Sequence, residues 1–328
     1  MGYRSIGGII MARVWTIGEA LIDFIPEQKG VGLKDVVTFK KAPGGAPANV
    51  AAAVSKLGGK STFIGKLGED AFGDFLVEVL DEVGVETKHI KRTNKANTAL
   101  AFVSLREDGE RDFSFYRNPS ADMLLSEEEI DVSSFSQEDI LHFCSVSLVD
   151  APVRQAHVAA IKAVQKVGGL ICFDPNIRLP LWDNHAEYRE VIQRFLPYAD
   201  IIKISEDELE FITEIADEDE AIKSILKLKP KLLIITKGGN GVSAYLGQKE
   251  IHAPGYSVNT VDTTGAGDSF IGSLLYQLAD KNTDINNIQE DTLKEMLLFS
   301  NAAAALTTTK QGAITALPNK EDVKKIIG

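Results

Sequence analysis

Short apolar runs alternate with helix-like segments along most of this chain, and this alternation constrains the fold more than any other feature. The runs predicted as strands cover residues 13–18, 61–64, 140–144, 170–174, 201–204 and 232–236. The segments predicted as helices cover residues 48–57, 71–83, 153–167, 186–195, 221–226 and 293–306. Fully apolar strands are typical of a parallel sheet that is buried on both faces. The order therefore predicts an α/β fold, with a central, mostly parallel sheet flanked by helices on both faces.

Two stretches, 21–43 and 98–116, break this alternation and show β-type residues in alternating order instead. Asp108 and Gly109 form a predicted turn between two strands in the second stretch. Because both stretches leave and re-enter the main pattern, we expect a small β-sheet lid over a site, within one α/β domain that covers 13–328. Residues 1–12 add nothing to the pattern and are predicted to be an extension.

The acidic composition bears on the partners of the chain. It has 47 Asp and Glu against 35 Lys and Arg, a net charge of −12, so we expect neither nucleic acid nor a membrane as a partner, but small molecules. No run of about 18 apolar residues and no signal-peptide pattern occurs, which makes a cytoplasmic location the default expectation. Cys144 and Cys172 lie in apolar strands and are predicted to be reduced and buried.

Several enzyme classes are disfavoured by the motifs that the chain lacks. It contains no H-E-x-x-H, no C-x-x-C, no G-x-S-x-G and no G-x-x-x-x-G-K-[ST] pattern. Zinc hydrolases, serine esterases and Walker-type NTPases are therefore not expected.

A turn of small residues stands directly before an apolar helix, at Gly265, Ala266, Gly267 and Asp268. Such residues let a phosphate approach the backbone, and the unpaired N–H groups and positive dipole of a helix start favour an anion. Asp268 would lie beside the group that attacks the phosphate, where an ionised carboxylate can accept a proton. A capped helix start explains the same residues equally well.

A second glycine-rich turn, at Gly44 and Gly45, opens the helix that carries Asn49. The glycines would let a ligand touch the backbone, and the Asn49 amide offers donors and an acceptor that suit sugar hydroxyls. Asp23 is an acid in an apolar segment just after the first strand, and ligand hydroxyls could be its partners. Taken alone, the turn is more often structural, and a salt bridge explains Asp23 equally well.

Polar residues also follow the buried strands, at the edge where open α/β sheets place their ligands. Asn176 and Arg178 come after the strand at 170–174, and Arg117 follows the second lid stretch. Each of these three is more often a surface or capping residue. The loop at 236–241 follows another strand and suits either a nucleotide or a tight hairpin turn.

Taken together, these motifs resemble those of the PfkB (ribokinase-like) carbohydrate kinase family, from about Val14 to Pro318. One family signature is similar to residues 44–58 with 65–73, and the other is similar to 262–270. They occur in the expected order and at the expected separation. Within the family, the segments most similar to fructokinases are 115–124, 174–182 and 307–313.

The resemblance implies a ribokinase-like fold and ATP-dependent phosphorylation of D-fructose at O6, which gives fructose 6-phosphate. Asp268 would be the general base, and the amides of Gly265, Ala266 and Gly267 would hold the phosphoryl group. The residues implied to bind the sugar are Asp23, Gly44, Gly45, Asn49, Arg117, Asn176 and Arg178. Those implied on the ATP side are Lys203, Glu208, Thr236, Gly238, Gly239, Gly241 and Asn301.

The resemblance also implies two cations. Glu208 would help to position Mg2+ through water, although this chain has Ser205 where the family often has an asparagine. Asp262, Thr264 and the backbone around Gly312 are similar to the family's monovalent-cation site, which suits K+.

Two alternatives to a fructokinase stay open at this point. Arg117 and Arg178 could grip a carboxylate as readily as they orient a neutral ketose, which allows a kinase for 2-keto-3-deoxygluconate, ribose or aminoimidazole riboside. A non-catalytic sugar-binding regulator with this fold would have lost the base or the anion turn, and both are intact. The lid stretches are also long enough for a homodimer that pairs through the lid.

Overall fold

The computed structural model describes residues 12–28, 30–105, 111–281 and 283–328. Its strands are β1 (Arg13–Ile17), β2 (Leu21–Pro26), β3 (Phe39–Gly44), β4 (Lys60–Gly68), β5 (Ile90–Thr93), β6 (Leu100–Leu105), β7 (Arg111–Tyr116), β8 (Ile140–Cys144), β9 (Leu170–Asp174), β10 (Ile201–Ser205), β11 (Leu232–Thr236), β12 (Val242–Leu246) and β13 (Lys249–Ala253). Its α-helices are α1 (Ala46–Lys56), α2 (Ala71–Glu82), α3 (Pro152–Val167), α4 (His185–Phe195), α5 (Glu206–Thr213), α6 (Glu218–Leu226), α7 (Ala266–Asp280), α8 (Glu290–Thr308) and α9 (Lys320–Ile327).

Within these residues, nine strands form the main sheet in the order β13-β12-β11-β10-β9-β8-β1-β4-β5. All neighbours from β11 to β5 are parallel. At the opposite edge β12 and β13 continue the sheet in antiparallel order. The structure therefore confirms the mostly parallel sheet and adds an antiparallel edge, so the loop after β11 is a hairpin turn.

Helices cover both faces of the main sheet. On one face, Ala156 of α3 and Tyr188 of α4 pack in the same core as Phe143 of β8. On the other face, Val50 of α1 and Leu274 of α7 belong to a second core. The central strands bury side chains on both faces, which is why they occur as uninterrupted apolar runs in the sequence.

Some elements extend beyond their predicted ends. β4 continues to Gly68 because its second half pairs with β5, where Gly65 lies opposite Ile90. α5 was not predicted, although Ser205 and Glu208 form the capping box at its start. In such a box each residue accepts a hydrogen bond from the other's backbone N–H, which satisfies donors that the helix leaves open.

A second sheet has the order β3-β2-β6-β7 and comes from the two predicted lid stretches. Each stretch supplies an antiparallel hairpin, and the two hairpins join through the parallel pair of β2 and β6. This confirms the small separate sheet. The predicted turn at Asp108 and Gly109 lies outside the described residues.

The start of the described chain is part of the core. Ala12, which the sequence placed in an extension, is 3% exposed and packs in the same core as Val14 of β1. Residues 1–11 lie outside the described residues. Cys144 and Cys172 are free thiols and are buried, as predicted. Among the described helices, none is both long enough and apolar enough to cross a membrane.

Candidate active site between the lid and the main sheet

A cavity of about 1050 Å³ lies between the lid sheet and the carboxyl ends of the central strands. Asp23 and Phe115 line it from the lid. The opposite wall includes Asn176, which follows β9, Lys203 within β10, and residues 261–265, 267 and 268 around the start of α7. Parallel strands end at one edge of a sheet, so residues from distant parts of the sequence meet there.

The predicted anion turn forms the start of α7. Gly265 has φ of +77°, and a Cβ placed on it would lie 2.8 Å from the Cβ of Ala313, so both its backbone and its surroundings require glycine. Without a side chain Gly265 cannot cap the helix, and the first-turn amides have no partner within the helix. The Ala266 N–H is an exception among the predicted donors, because it donates to the carbonyl of Thr263 at 3.2 Å. Gly265 and Gly267 line the cavity.

Asp268 stands in the first turn of α7, lines the cavity and is only 6% exposed. Its Oδ2 accepts a hydrogen bond from Asn49 Nδ2 at 2.7 Å, and its Oδ1 accepts one from Asn176 Nδ2 at 3.2 Å. Burial raises the pKa of Asp268 above its usual range, while the Asn49 amide and the charge of Arg178 oppose that rise. The carboxylate is thus fixed in orientation and strengthened as a base.

The two amides reach Asp268 through unusual backbone conformations. Gly45 has φ of +102°, and a Cβ there would lie 2.5 Å from the carbonyl oxygen of Glu19, so this tight turn needs glycine. α1 begins directly after it and carries Asn49 toward the cavity. Asn176 itself is left-handed, with φ of +46°. Both asparagines, predicted to bind the sugar, line the cavity and also hold Asp268.

Asp23 and Gly44 act together on the lid side. They lie on paired strands, and a Cβ on Gly44 would lie 2.2 Å from Asp23 Oδ2. Asp23 lines the cavity, whereas Gly44 is not among the lining residues in the described part of the chain. Gly44, predicted to touch the sugar, instead leaves the space that the Asp23 side chain occupies.

The two predicted arginines have different surroundings. Arg178 is exposed, lines the cavity and donates to its neighbouring Ile177 carbonyl at 2.9 Å. Arg117 is 8% exposed, forms an ion pair with Asp122 and donates to the Val146 carbonyl at 3.3 Å. Of the residues described, those that line the cavity do not include Arg117. Its guanidinium lies behind the wall, where Asp122 and the Val146 carbonyl engage it.

Glu19 is a lining residue that the sequence reasoning missed. It is 2% exposed, and its Oε2 accepts a hydrogen bond from Ser147 Oγ at 2.6 Å. Burial raises the pKa of Glu19, and the charge of Arg117 opposes that rise. Glu19 also follows the first strand in an apolar segment, so the argument applied to Asp23 could have found it.

Lys203, within β10, and Asp174, at the end of β9, form a buried ion pair. The distance from Lys203 Nζ to Asp174 Oδ2 is 2.9 Å, and both side chains are almost fully buried. Lys203, predicted on the ATP side, lines the cavity. Asp174 was not predicted as a site residue, because a strand-end acid before Pro175 has the same pattern as a turn acid.

The other predicted nucleotide residues lie apart from this cavity. Thr236 ends β11, Gly238 and Gly239 are exposed in the following turn, and none of them lines the cavity in the described ranges. Gly241 has φ of +97° and packs against the Ala253 carbonyl, where a Cβ would lie 2.2 Å away. The loop follows β11, which is the neighbour of β10 in the main sheet, and therefore borders the site on that side.

Asn301 also lies beside this loop rather than in the cavity. Its Nδ2 donates to the carbonyls of Ala253 and Pro254, at 3.1 and 2.8 Å. Its amide nitrogen therefore fixes the strand end of β13, and any contact with a nucleotide would use its carbonyl oxygen.

Glu208, predicted to help position Mg2+, is held in place by two backbone donors. Its two carboxylate oxygens accept hydrogen bonds from the backbone N–H groups of Ile177 at 2.6 Å and Ser205 at 2.9 Å. The residues that the structure describes contain no group of three or more His, Cys, Asp or Glu placed to hold a metal.

Asp262 joins the two loops of the predicted monovalent-cation site, which are the loop before α7 and the loop after α8. Its Oδ1 accepts from Thr264 N at 2.9 Å and from Thr264 Oγ1 at 2.7 Å, and its Oδ2 accepts from Gly312 N at 3.0 Å. The carboxylate is therefore engaged with the loops, and the backbone carbonyls that it orders are the groups suited to a hard cation.

Known proteins similar to this chain match it over nearly its whole length. Residues 11–320 match the family described as pfkB family carbohydrate kinase. The probable fructokinase-5 of Arabidopsis thaliana is 48% identical over 313 residues, which cover 95% of this chain and 96% of that protein.

Two solved structures share the fold at 36% identity. A fructokinase with bound ATP from Xylella fastidiosa has a TM-score of 0.89 and covers 97% of this chain and 98% of its own. A fructokinase double mutant from Vibrio cholerae O395, in a form with fructose, ADP and potassium ion bound, has a TM-score of 0.88 and covers 97% and 99%. The chain therefore belongs to the PfkB family of carbohydrate kinases and is a ribokinase-like sugar kinase.

Proposed function

We propose that this protein transfers the γ-phosphoryl group of ATP to O6 of D-fructose and releases fructose 6-phosphate and ADP. The observation that carries the proposal is the buried Asp268, held by two asparagine amides at the wall of the cavity, beside a helix start. The similar proteins named above are fructokinases, and one of them binds fructose and ADP. The sugar and the phosphoryl group would meet where the lid and α7 face each other.

Asp268 would accept the proton of the attacking O6 hydroxyl. The new O–P bond forms as the bond from the γ-phosphorus to ADP breaks, and the proton moves to the carboxylate that Asn49 and Asn176 orient. The amides of Gly265 and Gly267 would stabilise the charge that develops on the phosphoryl oxygens. The amide of Ala266, proposed from the sequence as a third donor, would first have to leave the Thr263 carbonyl.

The cations would be held by residues already in place. Glu208 would hold Mg2+ through water, and the loops joined by Asp262, Thr264 and Gly312 would hold K+. Bound Mg2+ would neutralise charge on the phosphate oxygens. A potassium ion is bound in the fructokinase of Vibrio cholerae.

The charges of the sugar end favour a neutral sugar. Glu19 and Asp23 line that end, and Arg117 lies behind it in its pair with Asp122. Arg178 also lines the cavity, but the two carboxyl groups at the sugar end would disfavour a sugar acid, and they can accept hydrogen bonds from hydroxyls. This observation favours fructose over 2-keto-3-deoxygluconate.

A panel of acceptors tests the substrate. ADP release from Mg-ATP would be measured with D-fructose, ribose, 2-keto-3-deoxygluconate, aminoimidazole riboside and fructose 6-phosphate. We expect the highest kcat/KM with D-fructose. A higher kcat/KM with the sugar acid would contradict the proposal, and saturable fructose binding without ADP release would identify a sugar-binding regulator instead.

A homodimer through the lid and a cytoplasmic location are part of the same proposal. Phe115 lines the cavity, so the next residue, Tyr116, faces the other side of the lid, where it is 63% exposed and contacts Phe102. Phe102 in turn stacks on Phe24. Such an aromatic face suits a second copy of the chain. Sedimentation of wild type and Tyr116→Asp would test it, with a monomeric variant as the expected result.

A further inference from the structure

The ion pair between Asp174 and Lys203 holds the lysine ammonium next to the first turn of α7. β9 and β10 are neighbours with Phe173 opposite Ile202, so Asp174 and Lys203 follow at the next position of each strand. Their 2.9 Å separation and almost complete burial fix the ammonium in one place. A Cβ placed on Gly267 would lie only 3.3 Å from Lys203 Nζ.

We propose that Asp174 is a positioning residue for phosphoryl transfer, whose carboxylate holds the Lys203 ammonium against the anion turn so that this ammonium contacts the transferring phosphoryl group. The inference rests on the proposed function of the site. Lys203 lines the cavity beside Gly267, whereas the described lining residues do not include Asp174. Asp174 therefore acts through Lys203 and does not itself touch the substrate.

The alternative is that the pair only stabilises the fold. A buried ion pair contributes little net stability, because removing two charges from water costs about as much as their attraction returns. An apolar pair at these positions would serve the core equally well. A structural role does not require that the ammonium lie at the cavity wall, next to a helix start whose dipole favours anions.

The surroundings of Lys203 give the proposal a pH signature. Burial by itself lowers the pKa of Lys203, but the carboxylates of Asp174, Glu208 and Asp268 outweigh it, so the pKa is raised. The imidazole of His142 on β8 also faces this lysine, and burial lowers its pKa to about 3, so it stays neutral. Of the charges that raise the pKa of Lys203 against the effect of burial, that of Asp174 is the largest. Without it, Lys203 should lose its proton at a lower pH.

The test measures kcat and KM for D-fructose with saturating Mg-ATP in wild type and Asp174→Asn. We expect the variant to lose about 100-fold in kcat, with KM changed less than about threefold. Its kcat should also fall as pH rises between about pH 7 and about pH 9.5, below the reference pKa of lysine. Wild type should keep its kcat over that range. Unchanged kcat and an unchanged pH profile would overturn the inference.

Two further variants separate positioning from stability. Asp174→Asn with Lys203→Arg restores a cation that cannot lose its proton, so the alkaline loss of activity should disappear. Glu129→Gln is the matched control, because it removes the carboxylate that pairs with Lys66 at 2.8 Å, a lysine outside the described cavity lining. An alkaline loss of activity in this control would also overturn the inference.

A variant without either charge covers the case in which Asp174→Asn does not fold. Asp174→Asn with Lys203→Met removes both charges of the pair, so neither is left buried without the other, and the variant should fold and lose at least about 100-fold in kcat. Turnover close to wild type would contradict the inference. If wild type releases no ADP with any sugar of the panel, the proposed function fails first, which is a different result from an active wild type with an equally active variant.

Discussion

The two walls of the cavity are built differently. The phosphoryl wall, with Asp268 and its partners Asn49 and Asn176, belongs to α7, α1 and the end of β9, which share the cores of the main sheet. The lid wall, with Asp23 and Phe115, belongs to a four-stranded sheet and is only partly buried. In the proposed function, phosphoryl transfer is thus placed on elements that are fixed by the core, and part of the sugar recognition on a separate layer. We expect changes in the first wall to lower kcat and changes in the second to raise KM.

The largest effect should come from the base. Asp268→Asn keeps the shape of the side chain but removes the proton acceptor, so kcat should fall by about two to four decades while the affinity for fructose changes little. Steady-state kinetics and calorimetric titration with fructose would measure the two. A variant that binds fructose and keeps near-wild-type turnover would show that Asp268 is not the base.

Changes in the lid wall should raise KM rather than lower kcat. Asp23→Ala removes a carboxylate that faces the sugar end, so KM for fructose should rise about 10-fold to 100-fold, with kcat within about threefold of wild type. The same initial-rate measurements apply. A loss confined to kcat would remove the distinction between the two walls.

Loss of the Asn49 amide should reduce kcat less than loss of the base, and it should shift the acid limb of the pH profile in one direction. The Asn49 hydrogen bond lowers the pKa of Asp268, so Asn49→Ala should raise that pKa and reduce kcat about 10-fold. Because the base must be deprotonated, activity is lost as pH falls through its pKa, and this acid limb should move to higher pH. Asn184→Ala, which removes the side-chain cap of α4, is the control and should leave the limb in place.

The smallest effect should come from the turn itself. Gly265→Ala and Gly58→Ala both place a side chain at positive φ, which costs about 1–2 kcal/mol of unfolding free energy. Only Gly265 faces a neighbour at 2.8 Å, while nothing lies within 4 Å of the Cβ position at Gly58. Gly265→Ala should therefore be the less stable variant in urea unfolding, and the only one of the two with a kcat reduced about threefold to tenfold. Equal stability and activity would show that the turn tolerates the added carbon.

The fold was predictable because its signals are local. Fully apolar strands such as Leu232–Thr236 can only be buried on both faces, and the lid hairpins keep a period of two. α5 was missed because its eight residues begin with three acids, Glu206, Asp207 and Glu208, which resemble a solvated loop. Capping by Ser205 and Glu208 makes that segment helical.

The site was predictable in its residue types and less so in their contacts. Asp268 and Asn49 are 219 positions apart, and no spacing in the sequence shows that one holds the other. Arg117 lies behind the wall because Asp122, five residues later, forms an ion pair with it. The argument used for Asp23 could have found Glu19, but not its partner Ser147, which is 128 positions away. Which side chains pair with each other at the sheet edge depends on the tertiary structure, and the sequence alone does not show it.

The most direct test of the central claim is the identity of the product. Wild type and Asp268→Asn would be incubated with Mg-ATP and D-fructose, and the sugar phosphate identified by 31P and 13C NMR. The account predicts fructose 6-phosphate from wild type and at least about 100-fold slower formation by the variant. Formation of fructose 1-phosphate, or equal rates from the two proteins, would contradict it.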